Sequence, residues 1–255
     1  MSESDWSNPA EMERAWLGAL VRIPLDKDRI LKTSMSDLKD KPLPPQRRLA
    51  TVIYLHGCSG VWAGTSRRID FLAENGFAVI APVSFAREKY PQSCDEKNHR
   101  GSLYRATLRI RQFDAGYAIR KAKTLPWVDA DNMFLMGLSE GGITTATFYA
   151  SDPGTSLNAR VVEGWTCHAG WPEYEGIHAP DSEPVLTLVG ANDPWFQNRW
   201  TRGNCERYLN KTNGSRSVVY TSGYLSNKHE LLENPQVQKT VLEFLTRHLR
   251  KPGSR

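Results

Sequence analysis

The sequence is poor in the features that mark disulfide-rich, metal-binding and membrane-spanning proteins. Its four cysteines lie far apart and none forms a C-x-x-C pair, so we expect reduced thiols and no metal site. No apolar run is long enough to cross a bilayer, which argues against a membrane partner. The segment Met1–Pro9 lacks the basic and apolar stretches of a secretory signal, so a cytoplasmic protein is the default expectation.

The charge is also unremarkable. Lys and Arg number 33 against 28 Asp and Glu, giving a formal net charge of +5, and the basic residues are not clustered with aromatic ones. A nucleic-acid partner is therefore not expected. A chain of 255 residues without repeats or low-complexity linkers suits a single α/β domain over 1–255. Within it we place an N-terminal arm and the first strands in 1–45 and the catalytic core in 46–250.

Apolar runs alternate with amphipathic segments from residue 51 onward. The predicted strands are 51–55, 77–82, 133–136, 160–165, 184–189 and 217–220, and the predicted helices are 66–75, 103–123, one ending near 150, 199–209 and 235–249. Near-continuous apolar strands separated by helices predict a mostly parallel sheet with helices on both faces. Sites in such sheets form beyond the carboxyl ends of the strands. No long helical insertion follows the strand at 160–165, so no large lid is expected.

The most informative motif is Gly137-Leu-Ser-Glu-Gly141, which follows the apolar strand at 133–136 and precedes helix-forming residues. This is the G-x-S-x-G pattern in its required strand–turn–helix context. Glycines on both sides let strand and helix approach closely while Ser139 takes a strained backbone and exposes its hydroxyl. We therefore interpret Ser139 as a nucleophile.

A serine nucleophile needs a base and a group that orients the base. Asp193 follows the strand at 184–189, where an orienting acid is expected, although Asn-Asp-Pro is also good turn chemistry. Among six histidines, His229 lies between the last strand and the last helix. The chain order Ser139, Asp193, His229 is that of α/β-hydrolases.

Two backbone N–H groups are needed to stabilise the oxyanion that forms when a serine attacks a carbonyl. One is expected from Glu140, at the start of the helix after Ser139. The other is expected from the loop after the first core strand, where we favour the amide of Cys58. His56 is interpreted as a brace for that loop. The side chain of Glu140 is expected to point away from the oxyanion, because a carboxylate beside it would be costly.

Substrate contacts are less strongly indicated. Arg87, in the polar loop after the strand at 77–82, is a candidate for pairing with a substrate carboxylate, although a solvated loop explains it equally well. Trp62, Trp165 and Trp195, with Trp171, suggest an aromatic pocket for the acyl or alcohol part of a substrate. Core packing explains any one of these tryptophans as well.

Several segments resemble the dienelactone hydrolase family of α/β-hydrolases. They are His56–Gly60, Gly76–Pro82, Leu125–Asp129, Met136–Gly142 and Gly190–Asp193, followed by His229. The resemblance runs from about residue 48 to 250 and implies an eight-stranded, mostly parallel sheet and ester hydrolysis through an acyl-enzyme. Dienelactone hydrolases proper carry cysteine where this chain has Ser139, which favours a serine carboxylesterase over lactone ring opening.

The cysteines add a second resemblance. Ser84–Arg87, with Cys94, Cys167 and Cys205, resembles a bacterial branch of the family. This implies that these cysteines lie near one another, so that one pair could bond in an exported protein.

The sequence thus predicts a serine esterase without cofactor that acts on small to medium carboxylic esters. Two alternatives stay open. A hydrolase-fold receptor or scaffold would keep the same residues with little turnover, and an acyltransferase would pass the acyl group to an acceptor other than water.

Overall fold

The computed structural model describes residues 2–41, 43, 48–150 and 153–250. Its N-terminal part comprises α1 (Glu3–Trp6), α2 (Pro9–Leu17), β1 (Leu20–Pro24) and β2 (Ile30–Ser34). The start of α2 is specified locally. The Asn8 side chain accepts a hydrogen bond from the Ala10 amide, and proline occupies the first helical turn, where no amide donor is needed. The expected boundary at 45/46 lies outside the described residues.

The remaining elements alternate between strands and helices. They are β3 (Leu49–Leu55), α3 (Ala63–Glu74), β4 (Ala78–Ala81), α4 (Ala106–Lys123), β5 (Val128–Leu138), α5 (Glu140–Thr147), β6 (Ala159–Glu163), β7 (Val185–Gly190), β8 (Arg216–Tyr220) and α6 (Pro235–Arg247). From residue 51 onward, each predicted strand and helix except one corresponds to an element of the same type in the structure.

The helix predicted at 199–209 is wrong. This stretch forms turns, with a short 3-10 helix only at Glu206–Tyr208. Two asparagine side chains form turns with the backbone two residues further along the chain, in competition with a continuous helix. Asn198 accepts from the Trp200 amide at 2.9 Å, and Asn204 accepts from the Glu206 amide at 2.9 Å. Cys205 is in addition fixed by a disulfide.

All eight strands form one sheet in the order β2-β1-β4-β3-β5-β6-β7-β8. The strand β1 is antiparallel to β2 and β4, whereas the pairs from β4 through β8 are parallel. This confirms the mostly parallel eight-stranded sheet. The carboxyl ends of β3 to β8 therefore meet at one edge, where the loops after them converge.

Helices cover both faces of the sheet, as predicted. Successive residues of β3 alternate between the two faces: Ile53 packs into a core that includes α2 and α4, and Tyr54 packs into a core that includes α3 and α6. The helix α5 packs against α4 and β6 and is buried along its whole length. In the described part of the chain, no helix is both long and apolar enough to cross a membrane.

Candidate active site

Ser139 occupies the sharp turn between β5 and α5. Its backbone has φ 57° and ψ −118°, which L-residues with side chains rarely adopt. The flanking glycines are required by close approach. A Cβ on Gly137 would lie 2.2 Å from the carbonyl oxygen of Gly141, and one on Gly141 would lie 2.1 Å from that of Leu55. The local sequence thus specifies a strained turn with the serine at its apex.

The acid and histidine predicted from the sequence meet at the same edge of the sheet. Nδ1 of His229 lies 2.7 Å from Oδ2 of Asp193, whose other oxygen accepts from the Trp195 amide at 3.0 Å. This hydrogen bond requires the proton on Nδ1, which leaves Nε2 free to accept. Among the described residues Nε2 of His229 is buried without a hydrogen-bond partner, and His229 lines a cavity whose wall also includes Ser139.

The loop that carries the histidine is held by Glu163, at the end of β6. This fully buried carboxylate accepts from the amides of Leu231 and Leu232 at 2.6 and 2.8 Å, while the Glu163 carbonyl accepts from the Ser139 amide at 2.9 Å. One residue therefore fixes both the serine and the histidine segments. Sequence reasoning missed this role. The available signal was a carboxylate directly after the apolar pair Val161-Val162, at the end of a strand.

The loop after β3 passes close to the serine. A Cβ on Gly57 would lie 3.7 Å from Cβ of Ser139. The carbonyl of Gly57 accepts from Nδ1 of His56 at 2.7 Å and from Nη1 of Arg111 at 3.5 Å. In a trans peptide the carbonyl and the following N–H point in opposite directions. The Cys58 amide is therefore turned away from the buried histidine and arginine.

The carboxylate of Glu140 is bound inside the protein. It accepts from Ser93 at 2.9 Å, from Thr107 at 3.1 Å and from Arg111 at 3.2 Å. Its charge is thus compensated, and its backbone N–H is the first of α5, where helical amides lack partners within the helix.

Arg111 was not identified from the sequence, although it links both segments. Besides binding Glu140, it donates to the carbonyl of His56. The signal was its position three residues after Leu108 and four before Ala115, on the buried face of α4. A fully buried arginine on an apolar face indicates a specific partner.

His56 is a brace rather than a proton carrier in this structure. Burial, aided by the charge of Arg111, lowers its pKa to about 3, so the ring is neutral. Its Nδ1 donates to the Gly57 carbonyl, and its Nε2 accepts from the Ser84 amide at 3.3 Å.

Two cavities open beside Ser139. The larger, of about 470 Å³, has an aromatic wall of Trp165, Trp171, Tyr174, Trp195, Phe196 and Trp200. The smaller, of about 200 Å³, is lined by Trp62, His229 and Glu230 among others. Cys58, His99, Ser139 and Trp195 line both. Of the predicted substrate contacts, Trp165 thus lies in the larger cavity, Trp62 in the smaller and Trp195 in both.

Arg87 does not lie at the site, which corrects the expectation that it contacts substrate. It is only 4% exposed and forms an ion pair with Asp114 at 2.6 Å. Its remaining donors bind the carbonyls of Asp5 and Trp6 in the N-terminal arm. The guanidinium is therefore bound within the fold and links α1 to α4.

The expectation of reduced thiols is also wrong. Disulfides join Cys58 to Cys94 and Cys167 to Cys205, 36 and 38 residues apart. The partners come from loops that are distant in sequence but converge at the carboxyl edge of the sheet. Disulfides persist in oxidising compartments, so they give no support to a cytoplasmic location.

The sheet, the strained serine turn and the order of the site residues together define the α/β-hydrolase fold. The profile of the dienelactone hydrolase family matches residues 41–244, so the chain belongs to that family, as the sequence resemblance implied. No curated protein sequence matches this chain significantly.

Solved structures of similar fold include a dienelactone hydrolase-like protein and an esterase. A dienelactone hydrolase-like promiscuous phosphotriesterase from metagenomic libraries has a TM-score of 0.56 at 14% identity, over 90% of this chain and 98% of its own. A thermophilic esterase of the planctomycete Thermogutta terrifontis has a TM-score of 0.52 at 16% identity, over 92% and 90%. That esterase phosphonylated by cyclosarin gives 0.54 at 17%, over 90% and 88%. At such identities the likeness is one of fold.

Proposed function

We propose that this protein hydrolyses carboxylic esters of small to medium size through an acyl-enzyme formed on Ser139. The observation that carries the proposal is the pairing of His229 with Asp193, which leaves Nε2 unpartnered among the described residues in a cavity shared with the strained serine. A buried nitrogen without a hydrogen bond destabilises the fold, so its presence calls for a functional explanation. Accepting the proton of the serine hydroxyl is such a function.

In the proposed reaction the hydroxyl oxygen of Ser139 attacks the ester carbonyl while His229 takes its proton. Asp193 stabilises the imidazolium and holds its tautomer. The amides of Cys58 and Glu140 stabilise the oxyanion. His229 then protonates the leaving alcohol as the ester C–O bond breaks. Water, deprotonated by the same ring, hydrolyses the acyl-enzyme and regenerates Ser139.

Two further features support the reaction class. Family membership points to hydrolysis, and the structurally similar Thermogutta terrifontis esterase is phosphonylated by cyclosarin, an organophosphorus compound.

No long helical insertion covers the site in the described part of the chain, because β6 is followed by turns up to β7. Both cavities thus remain accessible to esters of moderate size.

A fluorophosphonate probe combined with steady-state turnover tests this function. We expect one probe per chain, on the peptide that contains Ser139, and many turnovers of p-nitrophenyl acetate, both abolished by prior denaturation. Labelling with no turnover of any ester would favour a receptor or scaffold. Formation of a new ester at the expense of free acid when alcohols are added would favour acyl transfer.

A further inference from the structure

The two cavities beside Ser139 differ in size and in which catalytic group they contain. His229 lines the cavity of about 200 Å³, whereas the aromatic cavity of about 470 Å³ lies on the side of Glu140 and Ile143. Trp195 belongs to the walls of both cavities and stacks on His229 with ring centroids 5.3 Å apart. Because Ser139 lines both cavities, an ester bound at the serine has space for one part in each.

The reaction mechanism determines which cavity receives the alcohol part of the ester and which receives the acyl part. The imidazole that takes the serine proton must return it to the leaving oxygen, so the alcohol leaves on the histidine side. The acyl group, joined to the serine through its carbonyl carbon, is then directed to the other side of Ser139. We propose, resting on the proposed esterase function, that the preferred substrates join a bulky aromatic acyl group to a small alcohol, with the acyl group in the larger cavity.

The sizes support this assignment. Pockets that enclose a whole organic ligand measure about 300–1,000 Å³, and the larger cavity falls in that range while the smaller does not. Trp62 forms part of the wall of the smaller cavity, and its ring lies against Gly64, where a Cβ would be 2.4 Å from it. A short alcohol fits this space better than an aryl-substituted one.

The wall of the larger cavity is suited to an aromatic group. Trp165 meets Phe196 edge to face at 5.3 Å between centroids, and Trp171 meets Tyr174 at 5.7 Å. Aromatic rings favour such offset or edge contacts with a further ring. The wall comes from two loops, one after β6 and one after β7, and the disulfide Cys167–Cys205 joins these loops. The cavity is therefore held open before substrate binds, which lowers the entropy cost of binding.

Two isomeric esters test the orientation. Methyl hydrocinnamate carries the phenyl ring on the acyl side, and phenethyl acetate carries it on the alcohol side, with the same atoms and alkyl leaving groups of similar reactivity. We expect kcat/KM for methyl hydrocinnamate to be higher by about tenfold or more, the discrimination that a single well-fitted group gives. Equal values, or a preference for phenethyl acetate, would overturn the assignment.

Variants of the two walls provide a second readout. Trp171→Ala should lower kcat/KM for methyl hydrocinnamate about tenfold more than that for methyl acetate, because only the former uses the aromatic wall. Trp62→Ala should instead narrow the difference between the isomers by admitting the larger alcohol. If Trp171→Ala instead lowers kcat/KM for phenethyl acetate more than that for methyl hydrocinnamate, and Trp62→Ala raises kcat/KM for methyl hydrocinnamate, the acyl and alcohol sides are interchanged and the assignment is overturned.

p-Nitrophenyl acetate separates this inference from the proposed function. Its Ser139-dependent hydrolysis, accompanied by no preference between the isomers, would refute the orientation alone. Failure to hydrolyse any of these esters would refute the esterase function, and the orientation with it.

Discussion

Nδ1 of His229 lies 2.7 Å from Oδ2 of Asp193, although the two residues are 36 positions apart and belong to loops after different strands. Asp193 is 1% exposed, and among the described residues its carboxylate accepts hydrogen bonds from the imidazole and from the Trp195 amide, which compensate its charge. A buried carboxylate in this position is expected to hold one tautomer of the ring and to stabilise its protonated form.

Replacing that carboxylate by an amide should therefore abolish most activity without unfolding the protein. We expect Asp193→Asn to lower kcat for p-nitrophenyl acetate by about 10³-fold or more, because the wrong tautomer is favoured. The control is Asp181→Asn, at an exposed aspartate that binds Asn210 at 2.8 Å. A folded Asp193→Asn protein with kcat near that of the control would contradict the assignment.

Arg111 should affect the chemical step rather than substrate binding. It binds the Glu140 carboxylate and the carbonyls of His56 and Gly57, so losing it should displace both expected oxyanion donors. We expect Arg111→Met to lower kcat by about 10- to 100-fold, short of the full loss of a donor, with little change in KM. Arg111→Lys, which keeps the charge, should recover part of this loss.

The matched control for Arg111 is Arg160→Met. Arg160 forms a similarly buried ion pair with Glu183 at 2.6 Å, and neither residue lines the cavities beside Ser139. Breaking either pair should destabilise the fold by about 3–5 kcal/mol. Only Arg111→Met should also lower kcat per folded molecule, as measured by active-site titration. A similar loss in both variants would mean that Arg111 acts through stability alone.

The neutral state of His56 makes the stability of the fold depend on pH. Its pKa is lowered from 6.5 to about 3 in the folded protein, so below pH 6.5 the unfolded chain binds a proton that the folded protein does not. Stability from this group is thus complete at neutral pH and falls as the pH drops from 6.5 towards 3, by at most about 1.4 kcal/mol per pH unit.

Denaturant unfolding at several pH values checks this expectation. We expect the free energy of unfolding of His56→Gln to fall less steeply between pH 6 and 4 than that of the unaltered protein, because glutamine does not titrate. The comparison uses slopes, since the substitution also changes stability at neutral pH. Parallel slopes would show that the ring is not held neutral.

The disulfides predict that no free thiol exists. Alkylation of the denatured, unreduced protein should add no label to any of the four cysteines, and prior reduction should allow all four to react. The double variant Cys167→Ser/Cys205→Ser should lower the free energy of unfolding by about 3–4 kcal/mol, as expected for opening a loop of this length. Labelling of any cysteine before reduction would contradict the pairing.

Features encoded by neighbouring residues could be predicted from the sequence. The strand, the flanking glycines and the helix that position Ser139 lie within one short segment, and the alternation of apolar strands with helices specified a parallel sheet. The family resemblance supplied the number of strands. Near Arg199 the same reasoning failed, since asparagine turns and a disulfide outweigh helical propensity there.

Contacts between distant segments could not be predicted in this way. Arg111 and Glu163 look like ordinary charged residues, and their roles depend on which loops the sheet brings together. Arg87 is the opposite case, a residue expected at the site that lies elsewhere. This basic loop residue was expected to bind a substrate, but its charge is neutralised by Asp114 on α4. The cysteine pairs depend likewise on the convergence of loops after different strands.

The most direct test of the account is the kcat of Ser139→Ala on p-nitrophenyl acetate, compared with that of Ser217→Ala. Ser217 lies in β8, bonded to Thr187 at 3.0 Å, and supplies the same substitution outside the site. We expect Ser139→Ala to lose about 10³-fold or more in kcat while keeping its thermal stability, and Ser217→Ala to retain activity. Comparable turnover by the two folded variants would contradict a reaction through Ser139.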